Sequence, residues 1–191
     1  MPGEVNVVRL ALLALLTVVL VLPARAGPGD IEPAPGNRVI GDGVIVPGQR
    51  IGSIRLTMTL PQMIEAVGPV YKREEFKAEK ILLYEWRAEG IWISLDLESN
   101  RIRVVSAFGA NSKYRTDKRV ALLDHFSKAE KIYGQSYRRW EFREDKIVLI
   151  RYPVLGLQFG LVNDPAQRLL LGRIFQIGIF QPGDLPPARQ P

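Results

Sequence analysis

The sequence contains no cysteine and only one histidine in 191 residues. The lack of cysteine excludes disulfides, thiolate nucleophiles and cysteine-ligated metal sites. The single histidine, His125, follows Asp124 on a predicted helix, where adjacent side chains point in different directions, so we expect a structural or surface role for it. No serine lies in a G-x-S-x-G nucleophile motif. These absences argue against an enzyme, and the sequence predicts no catalytic residue, no cofactor and no metal site.

Long apolar runs are also scarce, and the one that is present spans Leu10–Leu22. A membrane-spanning helix needs about 20 apolar residues, so this shorter run is typical of a signal peptide. Pro23 follows it, and Ala24–Ala26 has the small-x-small pattern that signal peptidase recognises. We predict that residues 1–26 are a signal peptide cleaved after Ala26, and that the protein is periplasmic or secreted. A retained membrane anchor is the alternative.

Proline and glycine are concentrated on either side of the predicted folded region. Residues 27–38 and 181–191 are rich in both, and they have too few apolar side chains to form a core. We therefore predict a flexible linker, two structural units at 39–108 and 109–180, and a disordered tail. The first unit includes an N-terminal hairpin that turns at Pro47-Gly48.

The formal net charge is +6 at pH 7, which favours anionic partners. The basic residues are interleaved with glutamate, as in YKREEFKAEK, so a nucleic-acid surface is disfavoured. In an exported protein the remaining partners are an envelope or extracellular protein, or an anionic polymer or lipid head group.

One phrase occurs twice, as GPVYKREEF from Gly68 and as GQSYRRWEF from Gly134. The same offset of 66 residues continues beyond the phrase and pairs Gly90 with Gly156. A long internal similarity indicates repeated structural units. We therefore predict that the main role of the repeated phrase is structural. A doubled binding surface is its second predicted role.

Each copy has the pattern of a helical segment followed by strands. In the first copy Thr59 and Gln62 form a capping box, and Gly68 is placed to end the helix. The second predicted helix is longer and ends at Gly134. The segments that follow alternate apolar and polar residues, as strands do. We predict an α+β fold of two tandem units, each a helical segment followed by a three- or four-stranded antiparallel meander, with the helices on one sheet face.

The motif L-x-M-T-x-x-x-M-x-x-x-x-G-P at 56–69, followed by a meander, resembles the small domain of the outer-membrane barrel-assembly lipoprotein. Two tandem copies resemble β-lactamase inhibitory protein and its relatives. The resemblance implies a protein-binding fold that often uses an open sheet face. Two departures stand out: the lipoprotein cysteine is absent, and Asp117-Lys118 occupies the place of the Met-Thr start in the second copy.

Aromatic and arginine side chains are the candidate binding residues, because both types dominate binding hot spots. Trp92 alternates with the apolar row of its strand and therefore points to the other face. The proposed surface comprises Trp92, Tyr71, Arg73, Tyr137 and Arg139. The alternative is that the aromatics cap the core edge and the arginines pair with glutamate. The sequence thus predicts a non-enzymatic exported protein-binding module of the bacterial cell envelope. The alternatives are a binder of an anionic envelope polymer or lipid head group and, third, an uncharacterised enzyme.

Overall fold

The computed structural model describes residues 38–77, 80–111 and 113–184. The predicted signal peptide, nearly all of the predicted linker and most of the predicted tail lie outside these residues. In the described part of the chain, two helices and twelve strands are formed. None of the helices there is both long and apolar enough to cross a bilayer.

The strands form two sheets. The smaller sheet contains β1 (Val44–Val46), β2 (Arg50–Ile51), β3 (Ile54–Arg55) and β8 (Arg115–Thr116). The larger sheet has eight antiparallel strands, which are β4 (Lys72–Phe76), β5 (Ile81–Trp86), β6 (Ile91–Asp96), β7 (Ile102–Phe108), β9 (Arg138–Phe142), β10 (Ile147–Tyr152), β11 (Leu157–Val162) and β12 (Ile174–Ile179). Their order across the sheet is β4-β5-β6-β7-β12-β11-β10-β9. The helices are α1 (Leu60–Val67) and α2 (Phe126–Tyr133).

The predicted α+β class of two helix-plus-meander units is wrong. The fold is mostly β, and each helix has only eight residues. β7 pairs with β12 through partners such as Phe108 and Gln176, so strands assigned to separate units share one continuous sheet. The periodicity of a segment indicates that it is a strand, but it carries no information on which distant strand will pair with it.

The second helix is also shorter than predicted. It begins after His125, whose Nδ1 accepts a hydrogen bond from the Ser127 backbone N–H at 3.3 Å. Upstream, β8 joins the smaller sheet, and Val120 and Leu122 are buried from irregular chain. An apolar spacing close to 3.6 residues therefore arose here from a bent segment that packs against the core.

The main core lies on one face of the eight-stranded sheet, which we call the core face. Its cluster includes Ile91, Ile93 and Leu95 of β6. Met63 of α1 and Phe126 of α2 belong to the same cluster, together with isoleucines of the smaller sheet. Both helices and the smaller sheet thus cover the same face.

Glycines end both helices and lie in two of the strand-connecting turns, as their positions in the sequence suggested. Gly68 and Gly134 are the C-caps of α1 and α2, with φ of 126° and 78°. Gly90 and Gly156, in the β5–β6 and β10–β11 turns, each have φ of 63°. At the start of α1, the Thr59 backbone N–H donates to Gln62 Oε1 at 2.9 Å, as the capping box predicts.

An aromatic side chain on the sheet anchors the end of each helix. Trp86 Nε1 donates to the Gly68 carbonyl at 2.7 Å, and the Tyr152 hydroxyl donates to the Gly134 carbonyl at 2.9 Å. The two donors and the two glycines are separated by the same 66 residues as the repeated phrase. The internal repeat itself stays a prediction.

Candidate functional site: the polar face of the eight-stranded sheet

The opposite face of the eight-stranded sheet carries a different set of side chains, and we call it the polar face. Ser94, Ser106, Gln158 and Gln176 are buried near its centre. Gln176 Nε2 donates to Ser106 Oγ at 3.0 Å. Gly178 completes this group, because a Cβ there would lie 2.5 Å from Ser106 Oγ. The centre of the face is therefore a hydrogen-bonded polar floor with little room for larger side chains.

A small apolar cluster lies beside this floor. Its buried members are Phe108, Ile147, Val162 and Phe175, and Trp92 and Leu170 pack against them. All of these residues belong to the eight-stranded sheet or to the loop between β11 and β12. Trp92 is half-buried, so it packs against the cluster and remains partly accessible to solvent.

The five predicted binding residues do not lie together. Trp92 is on the polar face, opposite the fully buried Ile91 and Ile93. Arg73 and Arg139 are paired across the ladder with Tyr84 and Ile150 of the core face. Tyr71 and Tyr137 flank that same side of the sheet. The structure thus separates Trp92 from the other four residues.

These four residues make contacts that brace the edges of the core. The Tyr71 ring centroid lies 5.2 Å from the ring of Trp86. The Tyr137 hydroxyl donates to Glu130 at 2.7 Å, a bond that raises the pKa of this tyrosine. Arg73 lies 3.5 Å from Glu75, and Arg139 Nε donates to Glu141 at 3.0 Å.

One arginine on the polar face, Arg151, was not among the residues predicted from the sequence. Arg151 of β10 is half-buried, and its guanidinium carbon lies 5.6 Å from the ring centroid of Trp140 and 5.8 Å from that of Phe180. Its Nε donates to Gln158 Oε1 at 3.0 Å. Burial lowers the pKa of Arg151 to about 10, because removing a charge from water disfavours the charged form.

Arg151 has no acidic partner among the described residues. Across the ladder it pairs with Arg138 of β9, a second arginine on the same face. Six lysines and arginines lie on the eight strands, and the other four each form an ion pair with a nearby carboxylate: Lys72–Glu74, Arg73–Glu75, Arg103–Asp96 and Arg139–Glu141. The strand cations without an ion-pair partner among the described residues are therefore Arg151 and Arg138, which are cross-strand neighbours.

At the other end of the polar face, on β4 and β5, the basic residue has acidic partners. There Lys72 is paired across the ladder with Glu85 and forms an ion pair with Glu74. At the 66-residue offset, Glu85 corresponds to Arg151 and Glu74 to Trp140. The replacement of two acids by an arginine and an aromatic ring was the signal in the sequence that could have revealed this site.

A second candidate region lies near the start of α1. It is a groove of about 600 Å³ lined by Leu56, Met58, Thr59, Leu60, Pro61, Asn100, Arg101, Ile102 and Gln181. Its one charged side chain, Arg101, lies 3.6 Å from Asp184. No cluster of three or more histidine or acidic residues suited to a metal ion occurs in the ranges that the structure describes. The polar face therefore remains the stronger candidate.

We expect Arg151→Met to raise the free energy of unfolding by up to about 1 kcal/mol, since an apolar side chain removes the desolvation cost of an unpaired charge. The loss of two cation–π contacts, each about 0.5–1 kcal/mol, and of the hydrogen bond to the buried Gln158 offsets part of this gain. Urea unfolding at neutral pH measures the difference. As a control, Arg143→Met at an exposed turn should change stability by less than about 0.5 kcal/mol. A less stable Arg151→Met protein would contradict the interpretation of Arg151 as a costly charge.

No protein family description matches the chain, and no significant match was found among curated proteins. The chain has partial structural similarity to the crystal structure of the uncharacterized protein yfeY from Escherichia coli, at 12% sequence identity. The alignment covers 71% of this chain and 99% of that chain, with a TM-score of 0.48. These findings do not bear on the resemblance to β-lactamase inhibitory protein or to the barrel-assembly lipoprotein, which stays a prediction.

Proposed function

We propose that this chain is a non-enzymatic, exported protein-binding module of the bacterial cell envelope, and that its polar face holds the partner. The observation that carries the proposal is the placement of Trp92, Trp140 and Arg151 on one sheet face, away from the helices. Tryptophan and arginine are the residue types most enriched in binding hot spots. Trp92 and Trp140 are half-buried, so each offers an anchored ring at low entropic cost.

The core-face residues have a different role in this proposal. Tyr71, Arg73, Tyr137 and Arg139 are engaged by neighbours on their own side of the sheet. We therefore assign them to the support of strands β4 and β9 at the two edges. The binding role moves to the polar face and keeps only Trp92 from the predicted set.

A binder of an anionic envelope polymer or lipid head group is the second candidate. It is favoured by the net charge of +6 and by the two arginines without acidic neighbours among the described residues. Binding of this kind weakens steeply as salt rises, because exposed charges are screened. An interface built on tryptophan keeps most of its affinity at physiological salt.

The test is capture of envelope proteins by the immobilised mature protein at physiological salt, followed by titration of the captured protein. Trp92→Ala should weaken binding by about 1–2 kcal/mol or more, as a hot-spot aromatic does. Val154→Ala, at a position 84% exposed in the β10–β11 turn, should bind like the wild type. Arg139→Ala should also retain binding, because Arg139 lies on the opposite side of the sheet. Equal binding by Trp92→Ala and the wild type would refute the polar face as the interface.

A further inference from the structure

We propose that Arg151 and Arg138 form a carboxylate-binding site, and that its ligand is an aspartate or glutamate side chain of the partner protein. This inference rests on the proposed function for the source of the carboxylate. It specifies that the interface binds a carboxylate, and that it does so at the β9–β10 end of the polar face.

The geometry at Arg151 favours a carboxylate. The Nε group is occupied by Gln158, and the described residues provide no hydrogen-bond acceptor for the two Nη groups. A guanidinium held in this way has paired N–H donors to offer, which match the two oxygens of a carboxylate. The rings of Trp140 and Phe180 restrict the guanidinium, so little side-chain entropy is lost when the ligand binds.

The charge pattern around the site favours a carboxylate from another molecule. Arg151 and Arg138 are directly opposite each other on adjacent strands, and like charges in such a pair destabilise a sheet. Burial adds a desolvation cost to Arg151. A carboxylate from outside relieves both effects at once, so part of the free energy lost in the isolated protein is recovered on binding.

A protein is favoured over a polyanion as the source of the carboxylate. A polymer or lipid surface requires several cations in a row, whereas four of the six cations on the eight strands are already neutralised by carboxylates. The two arginines without a carboxylate partner among the described residues provide a site for one acidic group. The aromatic rings around them suit the methylene groups of an aspartate or glutamate side chain.

The first arm of the test needs no identified partner. The mature ¹⁵N-labelled protein is titrated with N-acetyl-glutamate amide while the Arg151 Nε–Hε and Trp140 indole signals are followed by NMR. We expect saturable shifts of both signals, and no shifts with N-acetyl-glutamine amide. In Arg151→Gln the shift of the Trp140 signal should disappear, whereas Arg143→Gln, which removes an equal charge at an exposed turn, should respond like the wild type.

Two results of this arm overturn the site. One is an unchanged Trp140 response in a folded Arg151→Gln protein, as judged by its thermal unfolding. The other is a stronger response to inorganic phosphate, or to vesicles containing phosphatidylglycerol, than to the glutamate probe, since it would identify a phosphate ligand. Arg151→Lys keeps the charge without the paired donors, so a full response in this variant would also contradict carboxylate recognition by the guanidinium.

The second arm uses the captured partner. Arg151→Gln should weaken its binding at least tenfold, because breaking a buried charge pair leaves the other charge unpaired. If Trp92→Ala abolishes capture while Arg151→Gln has no effect, the carboxylate site is refuted and the proposed function stands. If the glutamate probe binds at Arg151 but no protein is captured, a protein source for the carboxylate is refuted together with the proposed function.

Discussion

Gly156→Ala is expected to reduce the free energy of unfolding by about 3–5 kcal/mol, a loss large enough to unfold many domains. A Cβ at this position would lie 2.2 Å from the Phe180 carbonyl oxygen and 2.9 Å from the Gly48 Cα. Both are backbone atoms, so no rotamer change relieves the clash. The Gly156 carbonyl also accepts hydrogen bonds from the backbone N–H groups of Phe180 and Gly48, at 3.0 and 3.2 Å.

Gly134→Ala is the matched control for this prediction. Gly134 also has a positive φ, but a Cβ there meets nothing within 4 Å. The backbone strain alone should cost about 1–3 kcal/mol. Urea unfolding of the two variants therefore separates strain from steric clash, and equal losses at the two positions would show that the close approach to Phe180 is unimportant.

Trp86→Ala is expected to cost about 3–5 kcal/mol of stability, as for other large-to-small changes in a core. The side chain is fully buried, and its ring lies 5.2 Å from that of Tyr71 and 6.1 Å from that of Tyr84. It also donates the hydrogen bond that holds the Gly68 carbonyl at the end of α1. The substitution thus removes core volume and the anchor of a helix together.

Two comparisons test this account by urea unfolding. Trp86→Phe keeps most of the ring volume but leaves the Gly68 carbonyl without its donor, which should cost about 1–3 kcal/mol. Trp92→Ala removes a half-buried ring on the polar face, and we expect a loss of under about 2 kcal/mol. If Trp92→Ala were as damaging as Trp86→Ala, the polar face would have to be treated as a second core.

The local structure of the sheet was accessible from the sequence. Regular alternation around Ile91, Ile93 and Leu95 indicated a strand with one buried row, and β6 has that row fully buried. The antiparallel arrangement is confirmed for the eight-stranded sheet. These features depend on side chains within a few residues of each other, which is the range over which sequence patterns carry information.

The placement of the edge strands could not be predicted in the same way. Alternation put Tyr71 and Arg73 on a common strand face, but β4 is mostly exposed on both sides and has no apolar row to distinguish core from solvent. β9 has the same burial pattern. Which way Arg73 and Arg139 face is decided by their ladder partners on β5 and β10, and that register depends on tertiary packing.

Arg151 was missed for a related reason. In the segment IVLIRY it is one charge in an apolar strand, and such a residue normally lies on an exposed face with an acidic neighbour. Its environment comes from Trp140, Gln158 and Phe180 on three other parts of the chain. Only the assembled sheet shows that none of those neighbours is acidic.

The pairing of β7 with β12 has a consequence for the order of folding. Gln176 and Ile177 of β12 meet Phe108 and Ala107 of β7, so the middle of the sheet closes only after nearly the whole described chain has been synthesised. Until then β7 is an unpaired edge with buried-type side chains, a template for association with another chain. Long-range strand pairing is also slow. We therefore expect chains truncated before Ile174 to aggregate rather than to form a stable partial sheet. The yield of folded protein should fall as the time between the synthesis of β7 and its pairing with β12 increases.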